Sequence, residues 1–112
     1  MILRTWRGAV RHEQLDEYLE HQDQTGIREY RQTPGNVGVL VTTREADGLV
    51  EVTTWSRWES MDAVRAFAGD DPEVAKFYPG DDDLLAEKDL HATHHTVAGL
   101  DLAADLVRGE GS

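Results

Sequence analysis

Residues 36–58 read Asn36-Val37-Gly38-Val39-Leu40-Val41-Thr42-Thr43-Arg44-Glu45-Ala46-Asp47-Gly48-Leu49-Val50-Glu51-Val52-Thr53-Thr54-Trp55-Ser56-Arg57-Trp58, and this stretch decides the fold. Valine- and threonine-rich runs flank Asp47-Gly48. Branched side chains suit a pleated chain, and Asp-Gly tolerates the positive φ angles of a tight hairpin turn. The spacing predicts a strand over residues 36–44 and a returning strand over 49–58. Alternation places Val50, Val52, Thr54 and Trp58 on one face of the second strand, with Leu49, Thr53 and Trp55 on the other. Large apolar groups stand on both sides, so neither face plainly meets water.

Working outward, residues 2–10 read as another strand. Ile2, Trp6 and Val10 fall on one face; Leu3, Thr5 and Ala9 fall on the other. Residues 13–24 read as a helix, because Leu15, Tyr18, Leu19 and Gln22 follow the i, i+3, i+4, i+7 stripe. Gly26 interrupts or caps it, Ile27 and Tyr30 suggest a further helical turn, and Thr33-Pro34-Gly35 is a turn with Pro presetting φ. Beyond the hairpin, Ser60 is a natural N-cap. Met61, Val64, Phe67 and Ala68 form the apolar stripe of the next helix, and Gly69 stops it. Asp71-Pro72 predicts a short second helix with Val74, Phe77 and Tyr78 inward. Asp81, Asp82 and Asp83 read as a solvated acidic loop, residues 90–97 as the last strand, and residues 100–108 as a tail helix before a frayed end.

The order is β-α-β-β-α-β, the split plan of a ferredoxin-like α+β domain with a four-stranded antiparallel sheet. Right-handed crossovers place both helices on one face. The opposite face keeps apolar residues that need a cover, so a homodimer is expected. The domain is expected over residues 1–99, with 100–112 as a partly helical or frayed tail.

A chain of 112 residues has single-domain length. Its 11 Lys and Arg against 22 Asp and Glu give a formal charge of −11, which repels phosphate backbones and anionic lipids. Neither a nucleic acid nor a membrane partner is therefore expected. With no cysteine, thiolate catalysis and zinc–thiolate sites are excluded. Residues 1–7 carry no long apolar run of a secretory leader and no segment has membrane-spanning length, so a cytoplasmic location is expected.

The turn Thr33-Pro34-Gly35-Asn36, the strand end Trp55-Ser56-Arg57-Trp58-Glu59-Ser60-Met61, the segment Phe67-Ala68-Gly69-Asp70-Asp71-Pro72-Glu73-Val74-Ala75 and the closing His94-His95-Thr96-Val97 carry a family resemblance. Over residues 2–97 the chain resembles the antibiotic biosynthesis monooxygenase-like proteins of the dimeric α+β barrel superfamily. The resemblance implies a homodimer with a small-molecule pocket between helices and sheet in each subunit. It also implies oxidation of aromatic substrates by O₂ with no cofactor, or binding of a flat ligand such as haem. In the haem-degrading branch an Asn on the first strand, a Trp on the second helix and a His beyond it are needed. The matching positions here hold Trp6, Phe67, and Phe77 or Tyr78, which counts against haem degradation; of these, Tyr78 remains able to ligate iron.

A cofactorless oxygenase needs a substrate that supplies the electrons, as a phenolate or enolate, together with a base and a group that stabilises the anion. Trp6, Arg57 and His94 are the expected working groups, with Phe67, Tyr78, Tyr30 and Trp55 binding the substrate. Arg4 and Arg57 both stand on strands from which they can reach a phenolate, and histidine is the natural base near neutral pH. The alternatives are a non-catalytic binder of haem or another flat molecule, and a dimeric interaction protein. No metal site is expected: His91 and His95 share a strand face but stand roughly 13 Å apart by strand rise, and the Asp81–Asp83 run lacks the ligand pattern of a calcium loop. No phosphate-binding or nucleophile-elbow motif occurs.

Overall fold

In the computed structural model, which describes residues 1–101, the hairpin forms as its sequence predicts. β2 (Asn36–Ala46) and β3 (Leu49–Trp58) pair antiparallel. Asp47 and Gly48 join them at φ 53° and 80°, a mirror-image turn whose twist matches that of the strands. β1 (Ile2–Val10) lies along the other side of β3, with Ile2 opposite Trp58 and Val10 opposite Val50. Two short strands share the far edge of β1: β4 (Leu85–Lys88) pairs with residues 8–10 and β5 (Thr93–Thr96) with residues 2–5. The order is therefore β2-β3-β1 with β4 and β5 outermost, and every neighbour is antiparallel. This is the ferredoxin-like α+β plan.

The first crossover is one rod of changing pitch. A 3₁₀ turn (His12–Gln14) leads into α1 (Leu15–Gln22), a π turn (Asp23–Ile27) follows, and α2 (Arg28–Gln32) completes it. Gly26 thus sits inside a widened turn and does not cap a helix. Tyr18, Gln22, Ile27 and Tyr30 face the sheet and are buried. In the second crossover the Ser60 hydroxyl accepts the Ala63 N–H at 3.2 Å to start α3 (Met61–Ala68), and Gly69, at φ 94°, ends it. The Thr33-Pro34-Gly35 turn packs against this helix. Gly35 has φ 93°, and a Cβ there would lie 2.4 Å from the Ala63 Cβ. Both the conformation and the close approach require glycine.

The last third departs from expectation. Residues 70–80 form an irregular loop, not the short helix that Asp71-Pro72 suggests. Its backbone finds partners on the segment before β5: Ala75 N–H donates to the Leu90 carbonyl and Ala92 N–H to the Glu73 carbonyl. Bonds across the loop replace the helical ones, and Val74 is left exposed, not inward. The expected acidic loop is a helical turn, α4 (Asp81–Leu84), with Asp81 and Leu84 buried. The expected last strand over 90–97 is shorter and is preceded by β4, with Leu90 exposed between the two pieces. Most of the expected tail helix falls outside the described residues.

Strand alternation gives the sheet two unlike faces. The inner face packs on the helices through two apolar clusters. Val10, Tyr18, Val50, Val52 and Leu84 form one; Ile27, Tyr30, Trp58, Val64 and Phe67 form the other. Between them the inner face turns polar, at Arg4 of β1 and at Thr54 and Ser56 of β3, all buried. The outer face carries an apolar patch with Leu3, Leu40 and Trp55, where Leu40 is 62% exposed. Beside it lies a charged cluster in which Arg7 and Arg44 both bond Glu51.

Candidate functional site

A small cavity lies at the polar gap in the core. Arg4, Trp6 and Thr54 form its sheet wall; Tyr18, Gln22, Thr25, Gly26 and Tyr30 form its helix wall; Phe67, Lys76, Tyr78 and Asp81 close it. Its volume is about 40 Å³, room for a few waters at roughly 10–15 Å³ of such volume each. The π turn contributes Thr25 and Gly26 directly, and the Tyr78 ring lies 3.4 Å from where a Gly26 Cβ would stand. The extra width of that turn brings the loop tyrosine against the helix, and π turns recur at functional sites. Gln22 donates to the Thr54 hydroxyl at 2.6 Å, tying the helix wall to the sheet.

Arg4 is the unusual member. Only 3% of it is exposed. One terminal nitrogen donates to the Pro72 carbonyl at 3.3 Å, and the guanidinium lies 5.5 Å from the Phe67 ring centroid. Among the described residues its Nε has no hydrogen-bond partner. Among the described residues no carboxylate lies within 4 Å of it. A buried charge is ordinarily paired, because leaving water is costly and attraction to a partner offsets that cost. Here the offset is missing.

Several other polar groups around the cavity are already engaged. Lys76 bonds Glu29 at 2.6 Å and the Phe67 carbonyl at 2.9 Å; the Tyr78 hydroxyl donates to the other oxygen of Glu29. Asp81 accepts the Tyr78 N–H at 2.8 Å and meets His21 Nε2 at 2.7 Å. Burial pushes the Tyr30 hydroxyl up despite Arg4 and Ser56 pulling it down. Burial and then Glu29 push Tyr78 up as well. Both tyrosines are thus neutral donors at physiological pH, not bases.

Of the residues expected from sequence, Trp6, Phe67, Tyr30 and Tyr78 line this one cavity. Trp6 donates its indole N–H to the Asp89 carbonyl at 2.7 Å and presents its ring to Phe77, centroid to centroid 6.1 Å. Arg57 and Trp55 are misplaced by expectation. Both are odd-numbered on β3 and point away from the helices: Trp55 bonds the Thr42 hydroxyl, and Arg57 reaches the Val37 carbonyl across the hairpin. They belong to the outer face. His94 lies on the inner face directly opposite Arg4 across β1 and β5, beside the cavity and not on its lining. Burial first, then Arg4, hold His94 below the usual imidazole range, so it is neutral near pH 7.

Sequence reading passes over Gln22, Lys76, Glu29, Asp81 and His21 as site residues. Lys76 carries a signal, being the one basic residue between Arg65 and Lys88 in an acidic stretch. Asp81 carries none, since its burial depends on the helical turn beneath it.

Glu29 supplies a pH test of this rim. Burial raises its carboxyl, but the bonds from Lys76 and Tyr78 outweigh that and hold it below its ordinary value of 4.5. A carboxyl lowered by folding adds stability that is complete above the unfolded value and fades as pH falls through the folded one. Below about pH 4.5 the urea midpoint of Glu29→Gln is expected to fall less steeply with pH than that of the native chain. Parallel curves would contradict the arrangement.

No family model and no curated protein matches the sequence. Solved structures do match the fold. A proposed antibiotic biosynthesis monooxygenase from Bacillus cereus aligns with a TM-score of 0.64 at 18% identity, over 91% of this chain and 97% of that one. MhuD, as a variant with two manganese protoporphyrin IX molecules bound per active site, aligns at 0.61 and 18% identity over 93% and 100%. The ActVA-Orf6 monooxygenase of Streptomyces coelicolor, in complex with nanaomycin D, aligns at 0.57 and 18% identity over 92% of each chain. The chain therefore has the ferredoxin-like α+β fold of the antibiotic biosynthesis monooxygenase-like structures, as the sequence resemblance implies.

Proposed function

We propose that the chain is a cofactor-independent monooxygenase-like enzyme that takes a small planar phenol or enol into the cavity between its helices and sheet. The observation that carries this reading is Arg4, a buried guanidinium with no carboxylate partner among the described residues, set among Trp6, Phe67, Tyr30 and Tyr78. Aromatic side chains bind a flat ring by stacking and edge contacts. An unpaired buried cation favours the form of that ring which is an anion. His94, neutral and next to Arg4, takes the phenolic proton, and Arg4 stabilises the phenolate. The electron-rich substrate then reacts with O₂. In the simplest balanced outcome a ring CH₂ becomes C=O, one oxygen atom enters the product, and the other leaves as water with the two hydrogens. The substrate supplies all four electrons.

The solved neighbours support this reading through what two of them hold, nanaomycin D and a manganese porphyrin, both flat. The geometry favours the smaller ligand. The Tyr78 hydroxyl, the expected substitute for a haem ligand, already donates to Glu29, and no histidine lines the cavity. A cavity of about 40 Å³ also requires the 70–80 loop to move outward before any ring enters.

Oxygen uptake with a panel of phenols, anthrones and quinols tests the activity. Turnover is expected in purified protein without added metal or flavin, and Arg4→Met is expected to lower kcat/KM roughly 100-fold, the scale of losing one stabiliser of a developing anion. Turnover unchanged in Arg4→Met, or no uptake with any of the panel, would overturn the proposal.

The same reading has two copies of the chain, in the cytoplasm, meeting through the outer sheet face. The patch of Leu3, Leu40 and Trp55, with Leu40 62% exposed, supports that cover, since large apolar patches mark contact surfaces. Light scattering is expected to give the mass of two chains. A mass of one chain that persists up to millimolar concentration would contradict it.

A further inference from the structure

Among the described residues four buried side-chain polar atoms have no hydrogen-bond partner: Gln14 Oε1, Asn36 Nδ2, Arg4 Nε and His94 Nε2. The last two stand side by side. Arg4 and His94 are direct cross-strand partners of β1 and β5, and side chains in that relation project from the same face about 5 Å apart at their roots. The 70–80 loop covers them, anchored where Pro72 accepts from Arg4 and where Glu73 and Ala75 bond the 90–92 segment. Orphaned buried polar atoms are rare in folded proteins and ask for a ligand or a water. Two on adjacent side chains, Arg4 Nε a permanent donor and His94 Nε2 a donor once protonated, ask for a group with two acceptor oxygens.

We infer that Arg4 and His94 form a composite carboxylate site, which takes a planar aromatic carboxylate and picks up one proton from solvent as it does so. The inference rests on the cavity being the substrate site and deepens that reading by naming a second ligand class. Arg4 supplies a fixed charge and one N–H; His94 supplies an N–H from Nε2 and a charge that appears only when an anion arrives. The aromatic ring then extends from the carboxylate along Phe67 toward Trp6. The groups facing His94 are few. Arg4 on β1 and His95 on its own strand disfavour its protonation, and Glu73 from the loop favours it, with burial the largest influence overall. A carboxylate seated against Arg4 cancels that repulsion and adds an attraction, and both changes raise the affinity of His94 for a proton. A neutral phenol brings its own proton to the same place, so the two ligand classes reach one charge state by different routes. For a protein of formal charge −11, the general surface field repels anions. Selective carboxylate binding is therefore diagnostic of a local site.

Benzoate and benzamide test this, because they match in shape and differ in charge. Binding is followed by Trp fluorescence and by titration calorimetry near pH 7 in phosphate and in Tris, whose different ionisation heats reveal proton transfer. Benzoate is expected to bind roughly tenfold or more tightly than benzamide, as charge-assisted bonds require, and to take up about one proton that benzamide does not. Arg4→Met is expected to erase the preference. His94→Gln is expected to abolish the proton uptake while retaining part of the benzoate binding. Equal affinity of the two probes, or benzoate binding without proton uptake, overturns the carboxylate site using the native protein alone. So does proton uptake that persists in His94→Gln. The outcomes separate from those of the oxygenase reading: benzoate binding with no turnover of any phenol removes the enzyme and keeps the site, and phenol turnover with no benzoate preference does the reverse.

Discussion

A guanidinium held out of water without a counter-charge is the constraint around which the rest of this structure is arranged. Even after relaxation, burying such an ion costs several kcal/mol, and among the described residues no carboxylate offsets it. Arg4 is kept inside by its place on β1, which has neighbours on both sides. Residues 2, 4, 6, 8 and 10 of that strand point at the helices, so position 4 has no route to the surface without a slip of the whole register. A one-residue slip would send Val10, Ile2 and Trp6 outward as well. Packing of the strand therefore imposes the burial of the charge.

The cavity follows from the same arrangement. The apolar inner face is broken at Arg4, Thr54 and Ser56, and the core condenses as two clusters on either side of the break. Opposite the break, the helix rod widens at its π turn and brings Gly26 and Thr25 to the gap. Gly8 shows how tight the sheet wall is: a Cβ there would stand 2.7 Å from the Trp6 ring and 2.8 Å from Leu85, so the absence of a side chain lets the indole lie along the strand. The lid is the least regular part of the fold, a loop of residues 70–80 held by Lys76, Tyr78 and a few backbone bonds. A site with rigid walls and an irregular lid is suited to admitting a ligand and then excluding water from it.

How much of this is legible in the sequence depends on the range of the interactions. The hairpin, β1, α1 and α3 are readable, because period-two and helical alternation and the signals at Asp47-Gly48, Ser60 and Gly69 act over a few residues. The region after Gly69 is not. Asp71-Pro72 is a sound helix start, but the backbone there bonds the distant 90–92 segment instead, and no local pattern encodes that choice. The same limit governs the site. Trp6, Phe67, Tyr30 and Tyr78 stand out as aromatic side chains on elements expected to face inward. Arg57 and Trp55 fail on strand parity: Arg4 points at the helices and Arg57 away from them, although both are arginines on neighbouring strands. The alternation that puts Val50, Val52 and Trp58 on one face of β3 also sets Arg57 on the opposite one, so its outward position is encoded locally even though its chemistry suggests the pocket.

The central claim is that Arg4 is there for a ligand and not for the fold. Urea denaturation of Arg4→Met beside the native chain, without any ligand, tests it most directly. Methionine keeps much of the apolar stem and removes the buried charge. If Arg4 waits for an anion, the variant unfolds at an equal or higher urea concentration, because an unpaired buried charge is a burden on the empty protein. If the variant instead loses most of its stability, the bond to Pro72 and the packing on Phe67 are what Arg4 is for, and the claim that it awaits a ligand is wrong.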